Sequence, residues 1–190
     1  MKKGFVFLVV VMGFMACKSK KKEENKEAWF PVLSYLQSQV KEVDTSLYRL
    51  VKVETVDSTS DSTFIRREDF RKYAQDFLTI PDISTGNLKE HYKEDKMYDD
   101  VLNNVILTYT TQDTTEELRR EDVMLQPDDA GNSQVKTIII NKLGNQGNTS
   151  IEKNMVWQVN KRFLVVTKTQ TSGSPEKIKK LEVIWNDFPK

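Results

Sequence analysis

The residues best suited to chemistry in this 190-residue chain are a single cysteine, Cys17, and a single histidine, His91. A thiol can be alkylated, acylated or oxidised to a disulfide. With no second cysteine, an intramolecular bridge is excluded. His91 lies in Lys89-Glu90-His91-Tyr92-Lys93 and would have to serve any Ser–His–Asp triad. The chain has no Gly-x-Ser-x-Gly elbow and no Walker loop, and its seven glycines are scattered. Zinc and copper sites draw on several His or Cys ligands, so one of each argues against a transition-metal centre. Carboxylates are more plentiful. Asp99-Asp100, Glu116-Glu117, Glu121-Asp122 and Asp128-Asp129 are adjacent pairs. Glycoside hydrolysis needs two carboxyl groups facing each other roughly 5–10 Å apart. Strand neighbours point to opposite faces, so adjacency does not supply that geometry. Asp128-Asp129-Ala130-Gly131-Asn132 lacks the closing glutamate of a 12-residue calcium loop and reads as a turn. The expectation is no catalytic residue, no metal and no cofactor.

Cys17 has an informative context. Lys2 and Lys3 precede an apolar run, Phe5 to Met15, which stops at Ala16-Cys17. A basic start, a greasy middle and a small residue before a cut are the layout of a secretory signal. The run is shorter than the roughly 20 apolar residues of a spanning helix. Phe14-Met15-Ala16-Cys17 resembles the lipobox of bacterial lipoprotein signals, matching at Ala16 and Cys17 and departing at Phe14, where that family prefers Leu. The resemblance implies cleavage before Cys17, a diacylglycerol thioether on its sulfur and a further chain such as palmitate on its amine. It implies an exported protein anchored to a bacterial membrane, outer rather than inner, facing the periplasm or the cell surface.

The expected organisation is a signal peptide over 1–16, a lipidated cysteine with a charged tether over 17–27, and one domain over 28–190. Lys18 to Glu27 reads KSKKKEENKE and has nothing to bury. Ten residues span at most about 35 Å, so the domain stays near the bilayer. Lys18, Lys20, Lys21 and Lys22 could touch anionic headgroups. The 29 basic and 28 acidic residues give +1 overall; without Lys2 and Lys3 the balance is 27 against 28, or −1. This balance lacks the basic excess of a nucleic-acid surface, so no nucleic-acid partner is expected. At 38% hydrophobic and 30% charged, the composition is that of an ordinary folded domain.

Trp29, Leu33, Leu36, Val40 and Val43 form one stripe at helical spacing, so a helix covers 28–43 and starts near Pro31. Residues 46–57 alternate as a strand. Asp57 to Ser62 reads as a loop or a wide hairpin tip, with Phe64 and Ile65 opening a return strand. A second helix spans 67–78, with Phe70, Ala74, Phe77 and Leu78 on one face. Ser84 to Lys89 suggests a further helical turn. Five or six strands follow, including 104–111, 118–125, 135–143 and 178–185. Met155, Trp157 and Val159 face Phe163, Val165 and Thr167 across an Asn160-Lys161 turn. Strands joined by short turns must be antiparallel. The fold class is therefore α+β: two amphipathic helices packed on a curved, mostly antiparallel meander sheet. A half-barrel, a cystatin-like sheet and a cone of the nuclear transport factor type are its variants.

Trp29-Phe30-Pro31-Val32, Phe64-Ile65, Glu68-Asp69-Phe70 and Val105-Ile106-Leu107-Thr108-Tyr109 resemble a loose set of small Bacteroidota lipoproteins of unknown function. The resemblance implies an exported α+β lipoprotein and no particular activity. Tyr109, Trp157, Phe163 and Trp185 fall on strands of one sheet, where they either pack a core or line a site for a lipid, glycan or peptide. Three readings follow: a non-catalytic binding or accessory module in the envelope; an assembly or inhibitor protein that offers a sheet edge to a protein partner; and, third, a hydrolase using carboxylates or His91.

Overall fold

The computed structural model describes residues 28–128, 130 and 132–187. The signal segment, Cys17 and the tether lie outside these. Helix α1 (Val32–Thr45) begins directly after Pro31, whose fixed φ and missing N–H suit a helix start. Of the expected stripe, Leu36, Val40 and Val43 are buried; Val32 takes the place of Leu33, which is half-buried, and Trp29 precedes the helix. Strands β1 (Val51–Val56) and β2 (Thr59–Phe64) pair through a turn that places Asp57 at φ 54°. The Ser/Thr/Asp tract is thus the tip of a hairpin, but a tight one, and Thr59 to Ser62 are strand rather than loop. Pairing with β1 satisfies its backbone, and every β2 residue stays exposed, which suits its polar composition.

The expected helix over 67–78 is broken into a 3-10 turn (Arg67–Asp69) and two four-residue helices, α2 (Phe70–Tyr73) and α3 (Gln75–Leu78). The break falls at Ala74. Its N–H still bonds the Phe70 carbonyl four residues back, but Phe77 N–H bonds the Ala74 carbonyl only three back. The chain tightens there. Phe70, Ala74 and Phe77 nevertheless remain fully buried. A second 3-10 turn (Asn87–His91) stands where a short helical turn was expected, shifted a few residues along.

Then come β3 (Tyr92–Asp99), β4 (Asn104–Thr111), β5 (Leu118–Pro127), β6 (Ser133–Gln146), β7 (Thr149–Gln158), β8 (Arg162–Thr171) and β9 (Lys177–Ile184). All pairings are antiparallel, in the order β2-β1-β9-β8-β7-β6-β5-β4-β3. The result is an open nine-stranded sheet with few helices. The late meander has seven strands rather than five or six; the extra one is β3, whose charged run disguises it.

Alternation gives the sheet two unlike faces. Ile138, Ile140, Met155, Trp157, Phe163, Val165 and Val183 are buried on one. Their neighbours Ile139, Val156, Leu164 and Glu182 lie half-buried on the other. The register sets Trp157 opposite Phe163 and Met155 opposite Val165, as the hairpin pattern requires. Phe70 lies 6.4 Å from Trp157, 5.8 Å from Phe163 and 5.6 Å from Trp185, ring centre to ring centre. Phe77 adds contacts at 5.2 Å and 5.3 Å to Trp157 and Phe163. Phe70 therefore joins the helical segment to β7, to β8 and, through Trp185, to the residue just after β9. Phe70→Ala is expected to cost about 3–5 kcal/mol, read as a fall in the denaturant midpoint at unchanged slope.

Candidate functional site

The four aromatic candidates share the buried face of the sheet. Trp157 stacks on Phe163 at 5.4 Å with 18° between planes, and Trp185 closes on both at 5.4 Å and 6.3 Å. Tyr109 lies apart from them, on β4. Its ring sits 5.0 Å from Trp29, and its hydroxyl accepts the Phe30 N–H at 3.0 Å. All four are at most 2% exposed, packed by the protein's own side chains. Burial raises the Tyr109 phenol above its ordinary range.

The acidic pairs separate as strand and turn geometry demands. Asp99 accepts the N–H groups of Val101 and Leu102, both at 3.0 Å, in the β3–β4 turn. Asp128 accepts those of Ala130 and Asn132 in the β5–β6 turn. Asp122 faces the solvated side, taking Thr108 Oγ1 at 2.5 Å and Arg120 Nε at 2.7 Å. Glu121 points the other way. It is 1% exposed, lies across from Tyr109 and Ile140, and both its oxygens are buried without a hydrogen-bond partner. Burial, aided by the charge of Asp82, pushes its carboxyl up to about 8.

One cluster gathers residues the sequence left scattered. His91 ends the 3-10 turn before β3, and Thr111 Oγ1 donates to its carbonyl at 2.7 Å. This contact sets His91 beside the β4–β5 loop, residues 112–117. There His91 Nδ1 lies 2.7 Å from Glu116 Oε1 and 3.8 Å from Asp113 Oδ2. Asp113 is oriented by Thr115, whose hydroxyl and N–H donate to Oδ1 at 2.7 Å and 2.8 Å. Those bonds, the hydroxyl foremost, hold its carboxyl below the usual range. The loop is shaped by Arg119, which donates to the carbonyls of Asp113 at 2.6 Å and Thr114 at 2.8 Å. Arg119 is the extra residue of a β-bulge: Leu118 pairs Lys142 while Arg120 pairs Asn141. The bulge aims the guanidinium at the loop instead of into the ladder.

An imidazole flanked by two carboxylates can relay a proton or hold a cation. Glu116 stands 25 residues from His91, and no local motif links them. The one usable signal is strand pairing: Tyr92 opposite Thr111 puts the residue before β3 next to the loop after β4. No protein-family model, curated protein or solved structure matches the chain.

Glu121 sets a pH dependence. Its folded-state affinity for a proton exceeds that of the unfolded chain, where a glutamate titrates near about 4.3. The stability held by that proton is complete below the unfolded value and is lost as pH rises through about 8. Glu121→Gln, neutral throughout, is expected to melt higher than the parent. The gap should widen from pH 5 to pH 9 in thermal denaturation.

Proposed function

We propose that the chain is an exported lipoprotein, acylated at Cys17 and tethered to the envelope as a non-catalytic binding or accessory module. The observation that carries this is the order of its parts: a basic start, an apolar run, Ala16-Cys17, a ten-residue charged segment and then a folded domain. That the folded part begins near residue 28 is supported by Trp29 and Phe30, which Tyr109 already holds. Among the described residues no helix is long and apolar enough to cross a membrane. The sheet wraps the helical segments as a half-barrel; the contacts of Phe70 and Phe77 with Trp157 and Phe163 support this. Ligands, whether glycan, lipid or protein, then meet the module at its rims and its solvated face, because its aromatic face is filled.

A second reading, docking of a protein partner on a sheet edge, is favoured by β3. This strand is an edge, and Met97, Tyr98, Val101 and Leu102 are more than half exposed along it and at its turn. In-cell crosslinking at Val101 would distinguish the two by trapping one stoichiometric partner.

Cys17→Ser is expected to abolish labelling by a clickable palmitate analogue and to move the protein from the membrane to the soluble fraction. A variant that still sediments with membranes would refute the lipid anchor.

A further inference from the structure

We propose that His91, Asp113 and Glu116 bind a divalent first-row cation of the zinc–manganese class. Among the described residues they are the one group of three such donors whose ligand atoms all lie within 4.8 Å of one another. The proposal does not rest on the acylation of Cys17.

The donor set selects the ion. One imidazole nitrogen with two carboxylate oxygens suits zinc, manganese and their neighbours. Calcium and magnesium prefer all-oxygen shells, and Cu(I) prefers sulfur. The spacing also fits. A cation about 2.0–2.2 Å from each donor requires donors separated by roughly 3–4 Å. His91 Nδ1 stands 2.7 Å from Glu116 Oε1 and 3.8 Å from Asp113 Oδ2. A slight parting of His91 and Glu116 admits the ion, Asp113 already standing at a fitting distance from the ring. All three side chains keep some solvent exposure, so these shifts disturb no core packing.

The donors are poised for this role. Among the described residues, Glu116 Oε1 hydrogen-bonds only to His91, and Asp113 Oδ2 makes no hydrogen bond. Asp113 Oδ1 is held by Thr115, an outer contact that turns Oδ2 toward the ring and fixes the carboxylate plane. The ion would cross-link the start of edge strand β3 to the β4–β5 loop. Three protein donors leave coordination positions open to water or to a ligand's oxygen. This departs from the expectation, drawn from the single histidine, that the chain holds no metal.

The test uses the full-length protein, 15N-labelled, with Zn2+ as the probe. His91 is the sole histidine, so its ring nitrogens are assigned without ambiguity. Saturable Zn2+ binding should move the Nδ1 resonance. Calorimetry should show affinity falling at least about tenfold in Glu116→Gln and in Asp113→Asn, which keep the hydrogen-bonding shape but lose the charge. An equal concentration of Ca2+ should not displace Zn2+. An Nδ1 resonance unmoved by Zn2+ would overturn the site. So would equal affinity in the parent and both variants, which would place the ion on scattered surface carboxylates.

Discussion

Everything in this domain depends on covering one face of an open sheet. Nine strands expose a large apolar surface, and no disulfide within the chain can compensate for leaving it wet. Helices are few among the described residues, and the aromatic contacts made by two helical phenylalanines matter accordingly. Phe70 and Phe77 meet Trp157, Phe163 and Trp185 in tilted and edge-on contacts. Such pairs are worth about 0.5–1.5 kcal/mol each beyond the area they bury.

Charged groups complete what the apolar contacts begin. Arg67 donates to the Val43 carbonyl at 2.8 Å and to that of Tyr48 at 3.1 Å, satisfying the end of α1 and fixing the chain that leaves it. Lys153 reaches Asp76 at 2.5 Å and ties β7 to α3. Lys142 and Lys153 stand directly opposite on β6 and β7, a repulsive arrangement in isolation. Asp76 beside one and Glu117 beside the other offset it. On β1, next to the far edge, Glu54 lies between Lys179 and Lys52, chiefly the former, and its carboxyl is held below the usual range.

Elements with clean periodicity were legible in the residues alone. The stripe of α1 and the hairpin through Asn160 are where spacing and turn chemistry place them. The strand β3 was hidden because Lys93-Glu94-Asp95-Lys96 has no apolar alternation; an edge strand bonded on one side needs none. β2 was hidden for the same reason. The division of α2 from α3 arises from packing and leaves no mark on the Phe70, Ala74 and Phe77 spacing. The His91 cluster was illegible for a different cause. Its members meet through strand register, and register is a property of the folded sheet. Glu121 carries no local sign of burial either, since its strand neighbours include Arg120 and Asp122.

The bulge at Arg119 has a consequence for how the chain tolerates changes of length. The guanidinium reaches back to the carbonyls of Asp113 and Thr114, so the segment between them is measured against a fixed ruler. An insertion or deletion in residues 112–117 breaks that measure and scatters the groups gathered there. At the β6–β7 tip, where Gly147 adopts a positive φ and a Cβ on it would meet nothing, extra residues can loop into water at little cost.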